Sequence, residues 1–274
     1  MFEYLFMQRA FVAGLILGIA VPCVGVVVVL KRLSMMGDAL SHTALAGVAG
    51  GLIAGINPVL GATIACLGAA GAIEVIRRRF EGHAELAIAI VMSCGIGLAG
   101  VLSGFVPNAA SFSSFLFGSI VTVNDDDLLA VAAVGATVLL LCALMRKELF
   151  LVTLDERAAR LAGVRTKTVN AAFILITALC VSVAARTVGA LIVSSMMVVP
   201  VACALQIARS WKQIVILSCG IGVTITAIGL TVSYELGLKP GGTIVLIGIG
   251  ALALVLVAKH LRMRLRSTTR RSTR

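Results

Sequence analysis

Two ionisable side chains, Asp38 and His42, interrupt an otherwise apolar stretch that runs from Gly37 to Gly55. Residues four apart lie on the same face of a helix, so the carboxylate and the imidazole would lie one above the other. Carboxylate oxygen and neutral imidazole nitrogen are ligands of both Zn²⁺ and Mn²⁺. The spacing alone supports two interpretations equally: a metal-ligating pair, or a hydrogen bond between the two side chains that satisfies both inside a helical bundle.

Two ligands from one chain hold a metal ion weakly, because closed sites for Zn²⁺ need about four ligands. A two-fold dimer with this helix face on its axis would bring two aspartates and two histidines together. Such a site, built from exchangeable ligands, would bind an ion transiently. That property suits a gate in a transport path better than a storage site.

The composition places this pair in a membrane. The chain of 274 residues is 60% hydrophobic and 13% charged, with a mean hydropathy of +1.10, more apolar surface than one soluble core can hide. Breaking the sequence at charges, prolines and glycine clusters predicts an all-α, polytopic transmembrane helical bundle of nine spans, with eight as the alternative. The predicted spans are 11–30, 37–56, 58–76, 85–104, 128–145, 169–186, 188–207, 213–234 and 243–260. The apolar stretch 111–123 is too short to cross and is predicted to be re-entrant or interfacial.

The positive charge indicates which side of the membrane each loop faces. The formal net charge is +11, and the basic residues gather in short segments between the apolar runs. Under the positive-inside rule these segments are cytoplasmic, which puts the N-terminus outside and the C-terminus inside. We therefore expect the basic segments to contact a lipid membrane, and we expect no nucleic-acid partner. The predicted organisation is a membrane domain over 1–261, with a cytoplasmic segment at about 146–168, and a basic, disordered cytoplasmic tail over 262–274.

Small residues and a proline predict how two of the spans pack. Gly47, Gly51 and Gly55 recur at four-residue intervals, a pattern that lets a neighbouring helix approach closely in lipid. Pro200 lies inside the predicted span 188–207, where it removes a backbone hydrogen bond and predicts a kink. Kinked spans often line transport paths, although many are only bent structural helices.

The cytoplasmic stretch from Thr153 to Val164 predicts one short amphipathic helix, with Gly163 suited to end it. Its predicted apolar face consists of Leu154, Ala158, Leu161 and Ala162. A helix of this kind docks a cytosolic partner or lies in the membrane interface, and the pattern alone favours the interfacial helix.

The seven cysteines are scattered singly, most of them inside apolar runs, with no CxxC spacing and none beside a histidine. This distribution favours buried apolar side chains over a thiolate metal site.

Four stretches of the sequence resemble the metal-type family of ABC importer membrane subunits. The first is KRLSMMGDALSHTALAGVA at 31–49, which carries Asp38 and His42. DERAARLAG at 155–163 is similar to the family's coupling segment, VGALIVSSMMVVPVACA at 188–204 to its late span, and YELGLKPGGTIVL at 234–246 to its penultimate loop. In order and spacing these stretches cover nearly the whole chain.

The resemblance implies a multi-pass subunit of the bacterial cytoplasmic (inner) membrane. It pairs with a second membrane subunit, identical or unlike, docks on cytosolic ABC ATPases and receives its ion from an extracytoplasmic metal-binding protein. Asp38 and His42 match the family's intramembrane metal-contact positions. The ATPase-coupling residues implied are Asp155, Glu156, Ala159 and Gly163. The subunit itself would hydrolyse nothing and hold no permanent cofactor. The expected cargo is Zn²⁺, with Mn²⁺ or Fe²⁺ as the alternative.

Two other functions are compatible with the same residues. In an ion-gradient-driven secondary metal transporter, Asp38 and His42 would relay protons. In a membrane scaffold the pair would be purely structural. Two basic residues on the predicted outer side, Arg186 and Lys239, have no role in any of these functions.

Overall fold

The computed structural model of the protein describes residues 4–80, 83–107, 109–118 and 124–271. Every regular element in these ranges is helical, because a backbone inside lipid must satisfy its hydrogen bonds within its own segment. The helices are α1 (Leu5–Leu30), α2 (Met36–Ala54), α3 (Pro58–Arg79), α4 (Ala84–Ser103), α5 (Ala109–Phe117), α6 (Asp125–Leu144), α7 (Arg146–Leu154), α8 (Glu156–Leu161), α9 (Thr166–Ala184), α10 (Ala190–Ile207), α11 (Trp211–Leu236) and α12 (Pro240–Arg271). A π-helical turn, Ala185–Gly189, joins α9 to α10.

Seven of the described helices are long and apolar enough to cross a membrane by length and composition: α1, α3, α4, α6, α9 with its π-helical turn, α11, and α12 as far as Leu261. The sequence predicted eight or nine spans, and the two additional ones correspond to α2 and α10. α2 contains Asp38, His42 and several small residues, which lower its hydropathy. The backbone of α12 continues to Arg271, past the predicted domain boundary at 261. The disorder of the tail stays a prediction.

The stretch 111–123 is described in its first half only. α5 covers Ala109–Phe117, and residues 119–123 lie outside the described part of the chain. α5 packs against the π-helical turn and α10 rather than crossing the bundle.

The helices form a bundle whose interior is built around α1, α9 and α2. α1 and α9 are mostly buried, whereas α6, α12 and α4 expose most of their surface. α2 packs against α3 and α4 on one side and against α10 and α9 on the other. This arrangement surrounds the helix that contains Asp38 and His42 on several sides.

The predicted glycine packing face is confirmed at two of its three positions. A Cβ atom added at Gly47 would lie 2.3 Å from the carbonyl oxygen of Gly61 in α3, and one added at Gly61 would lie 2.3 Å from the carbonyl oxygen of Gly47. Gly51 lies against Pro58 at the start of α3. Gly55 has a different role, since it ends α2 in the left-handed conformation, with φ of 69°. α2 and α3 therefore touch backbone to backbone.

Replacing Gly47 by alanine should force α2 and α3 apart and lower the free energy of unfolding by about 1–3 kcal/mol, the usual cost of overpacking. The matched control is Gly50→Ala, because a Cβ atom at Gly50 meets no described atom within 4 Å. Thermal unfolding of the two purified variants in detergent measures the difference. Equal melting temperatures for the two variants would contradict the close packing of α2 on α3.

Candidate metal gate

A tight turn at the end of α1 fixes the start of α2. The Leu33 amide donates to the carbonyl oxygen of Val28 at 2.8 Å, and the Arg32 amide to that of Val29 at 3.0 Å, the hydrogen-bond pattern of a Schellman cap. Arg32 has φ of 58° and occupies the left-handed position that glycine usually takes. α2 then begins at Met36, which places Asp38 in its first turn, where the helix dipole stabilises a carboxylate.

Asp38 and His42 lie one helical turn apart in the first half of α2. Both side chains are partly exposed, whereas Gly37, Ala39 and Leu40 between and beside them are buried. A Cβ atom at Gly37 would lie 3.2 Å from the Cα of Ser194, so α10 closes the neighbouring face. α4 contacts the same helix at Thr43, beside His42. The Asp38 and His42 side chains therefore stay partly accessible at the start of α2, among buried neighbours.

Neither Asp38 nor His42 has a hydrogen bond or ion pair with any described residue. The alternative interpretation from the sequence, a hydrogen bond between the two side chains, does not occur in this structure. The buried hydroxyl of Ser41 also lacks a hydrogen-bond partner in the described part of the chain. Within the described ranges, no group of three or more His, Cys, Asp or Glu side chains is placed to hold a metal ion. One chain therefore offers two unpaired ligands.

The structure places Pro200 away from this pair. α10 continues through Pro200, whose buried ring faces Gly222 and Ile225 of α11 and Gly248 of α12. Ser194, more than one turn earlier, makes the contact with α2. The predicted role of Pro200 in the translocation path stays a prediction.

The prediction of a single amphipathic helix from 153 to 164 is wrong. Asp155 is extended, with φ of −154° and ψ of 112°, and it separates α7 from α8. Its carboxylate accepts hydrogen bonds from the amides of Arg157 at 2.7 Å and Ala158 at 3.2 Å, so it caps α8. Leu154 therefore belongs to α7, and the six residues of α8 form a separate turn of helix.

The end of α8 matches the sequence prediction. Gly163 has φ of 84° and donates to the carbonyl oxygen of Arg160 at 3.1 Å, while the Val164 amide donates to that of Ala159 at 3.0 Å. These two bonds form a complete Schellman cap. Ala159 is 1% exposed, whereas Leu154 and Leu161 are 68% and 91% exposed. Asp155, Ala159 and Gly163 thus shape α8, and the two leucines present exposed apolar surface beside it.

A polar link that the sequence did not reveal joins α8 to the loop before α2. Asn170 in α9 is 2% exposed; its amide nitrogen donates to the Glu156 carboxylate at 3.3 Å, and its amide oxygen accepts from the Lys31 ammonium. Glu156 also pairs with Arg160 at 3.7 Å. A buried asparagine with both ends of its amide bonded fixes three segments relative to one another. The only sequence signal for Asn170 was an isolated amide at the start of an apolar run.

The two unexplained basic residues on the outer side have defined partners. Arg186, in the π-helical turn, forms an ion pair with Asp127 at 3.0 Å and lies over the ring of Phe115 at 5.0 Å from its centroid. Lys239 lies over the ring of Phe117, 4.1 Å from its centroid. These cations hold α5 against the outer ends of α6, the π-helical turn and α12.

The fold describes a multi-pass helical membrane protein, and comparison with known proteins identifies its family. Residues 3–259 match the model of the ABC 3 transport family, and the chain belongs to that family. It is therefore a membrane-spanning permease subunit of a metal ABC importer in the cytoplasmic (inner) membrane. In such systems a separate subunit hydrolyses ATP, and this chain is a transport subunit rather than an enzyme.

Three similar proteins show how far the likeness extends. A Treponema pallidum protein named "Probable metal transport system membrane protein" is 34% identical over 258 residues, 93% of this chain and 96% of that protein. The manganese import system permease protein ScaB of Streptococcus parasanguinis is 32% identical over 244 residues, 89% of this chain and 87% of ScaB. The solved structure of PsaBC from Streptococcus pneumoniae in complex with Fab superposes with a TM-score of 0.83 at 30% identity, covering 92% of this chain and 91% of that one.

The burial of Lys31 beside Asn170 and Glu156 predicts the pH at which its ammonium loses a proton. Burial lowers the pKa of Lys31 from 10.5 to about 8, and the negative charge of Glu156 partly opposes this shift. The ammonium should lose its proton as the pH rises through about 8. In Glu156→Gln the pKa should fall further, because the anion that favours the ammonium is gone.

Competitive acetylation with peptide mass spectrometry measures the pH at which Lys31 becomes reactive. The control variant is Glu235→Gln, which changes the same charge on the predicted outer side. A midpoint that stays near the ordinary lysine value, or that moves equally in both variants, would contradict the burial of Lys31 beside Glu156.

Proposed function

We propose that this chain passes a divalent metal ion through a gate made by Asp38 and His42 of two paired membrane subunits. The observation that carries the proposal is the pair itself: two side chains of metal-ligand type, one helical turn apart and both partly exposed, with no hydrogen-bond or ion-pair partner among the described residues. Leaving ionisable groups in a membrane without a partner costs several kcal/mol, on the order of 3 kcal/mol or more at mid-membrane. A second subunit that brings its own ligands and covers this pair removes that cost.

The second membrane subunit is an identical copy or a paired unlike chain. This chain superposes on a chain of the PsaBC structure, which supports its assembly with further subunits here. A cytosolic ATPase and an extracytoplasmic metal-binding protein complete the proposed importer.

The proposed number of spans is nine. α2 has 19 residues and α10 has 18, close to the roughly 20 needed to cross the hydrocarbon core. Many side chains of both helices are buried against other helices, so their surfaces meet protein rather than lipid and need less hydropathy. Nine spans keep the N-terminus outside and every basic segment in the cytoplasm.

Mn²⁺ is the cargo that the comparisons favour over the Zn²⁺ expected from the sequence. ScaB, which this chain resembles over most of its length, is named for manganese import. Aspartate and histidine ligands without thiolates suit Mn²⁺, whereas thiolates would favour zinc. Radioactive manganese uptake in cells that lack and regain this chain tests the assignment. Uptake restored for zinc but not manganese would return the assignment to Zn²⁺, with the gate unaffected.

Removing either gate ligand should stop transport without disrupting assembly. In Asp38→Asn and His42→Gln, manganese uptake should fall below about a tenth of the wild-type rate, because each change removes a ligand that this chain contributes to the gate. Asp126→Asn is the control, since Asp126 is an exposed aspartate on the outer side. Normal uptake in Asp38→Asn, with the ATPase still associated, would refute the gate.

We further propose that movement of the ATPase reaches the gate through α8, Asn170 and Lys31. Asp155 and Gly163 cap α8 at its two ends, Ala159 seats it, and exposed Leu154 and Leu161 present the docking surface. Glu156 then connects α8 through Asn170 to Lys31, at the start of the turn before α2. The chain of contacts is continuous from the cytoplasmic surface to the base of the helix that carries Asp38.

Cutting this link should uncouple ATP hydrolysis from transport. The double variant Lys31→Met/Asn170→Leu removes the link without leaving an unpaired buried polar group. The assembled importer should still hydrolyse ATP, and the number of ions moved per ATP should fall severalfold. Gln206→Leu is the control, because it breaks a similar amide to ammonium bond, with Lys259 at 2.9 Å, that does not involve α8. A parallel loss of hydrolysis and uptake would show that the link only stabilises the fold.

A further inference from the structure

A groove of about 320 Å³ lies between α1, α6, α7 and α11, away from the Asp38 and His42 face. Its walls are almost wholly apolar and include the side chains of Val27, Leu139, Val215 and Ile216. Three cysteines that are far apart in sequence, Cys23, Cys142 and Cys219, also converge on it. The volume lies at the lower end of the range typical of small-molecule sites.

Positive charge is concentrated at one end of this groove. Arg146 and Lys212 both line it, both are exposed, and neither has a hydrogen bond or ion pair with any described residue. They belong to the first residues of α7 and α11, so two cations from different helices meet at this end of the groove. Trp211 lines the same end and packs edge to face on Phe150, with ring centroids 5.4 Å apart.

The groove extends from this charged end toward the middle of the membrane. Leu139 precedes Arg146 by two helical turns, and Cys219 follows Lys212 by two turns, so the apolar part is roughly 10 Å deep at about 1.5 Å per residue. Basic residues and a tryptophan mark the cytoplasmic interface in the topology given by the positive-inside rule. α6 and α11, which form the sides, expose most of their surface to the surroundings.

We propose that this groove binds a phospholipid with an anionic headgroup from the cytoplasmic leaflet. The phosphate lies between Arg146 and Lys212, and the upper part of an acyl chain fills the apolar groove beneath them. The two unpaired cations provide the charge complementarity, and the apolar walls provide the site for the chain. A zwitterionic lipid fits the groove equally well but gains less from the two cations. The site is independent of the metal gate.

Native mass spectrometry of the assembled importer, reconstituted in phosphatidylglycerol or phosphatidylcholine, tests the site. The wild type should retain phosphatidylglycerol in preference to phosphatidylcholine. In Arg146→Gln/Lys212→Gln this preference should fall by roughly 25-fold, since each cation near the membrane surface contributes about a fivefold preference for anionic lipid. The matched control is Lys147→Gln/Arg209→Gln, which removes the same charge from exposed neighbours that do not line the groove. Equal losses in the two double variants would overturn the site.

Labelling of cysteines by a small maleimide locates the lipid independently. Phosphatidylglycerol should protect Cys219, which lines the groove, more than phosphatidylcholine does, and this difference should vanish in Arg146→Gln/Lys212→Gln. Cys94, exposed on α4, should label equally in both lipids. Identical labelling of Cys219 in both lipids would show that no anionic lipid occupies the groove.

Discussion

The cost of holding two ionisable side chains in a membrane without partners constrains the rest of this structure. Asp38 and His42 are partly exposed on α2, while Gly37, Ala39 and Leu40 between and beside them are buried. An internal hydrogen bond would have satisfied both groups within one chain, and it is not formed. The two side chains are therefore available to a ligand from outside the chain, as the proposed gate requires.

Contacts at several points fix the position of α2, which carries Asp38 and His42. On one side of α2, the glycine contact with Gly61 allows α3 to approach backbone to backbone. At its start, the Schellman cap formed around Arg32 fixes the direction in which α2 leaves α1. The buried amide of Asn170 then ties that turn to α8. These contacts fix the position of α2 relative to its neighbours, which the proposed gate between two subunits requires.

Much of this architecture could be predicted because it depends on local chemistry. The apolar runs predict the helices, and the glycine spacing predicts the close contact at Gly47. Gly163 predicts the end of α8, because its left-handed conformation needs no distant partner. The rest depends on contacts between segments far apart in sequence. Arg186 pairs with Asp127, which is 59 residues away in the sequence. The Lys31 ammonium donates to Asn170, which is 139 residues away. The sequence did not predict the break between α7 and α8, because the helical pattern continues through Asp155. In the structure Asp155 is extended, and its carboxylate caps the first turn of α8. The three cysteines of the lipid groove, on three different helices, could not have been grouped from their spacing.

The central claim is that Asp38 and His42 of paired subunits ligate the transported ion. Electron spin-echo spectroscopy of the assembled importer loaded with Mn²⁺ observes this directly, because an imidazole nitrogen bound to the ion modulates the echo. The account predicts a nitrogen modulation in the wild type that is lost in His42→Gln. A modulation that persists in His42→Gln, or Mn²⁺ that binds with no nitrogen ligand in the wild type, would contradict it.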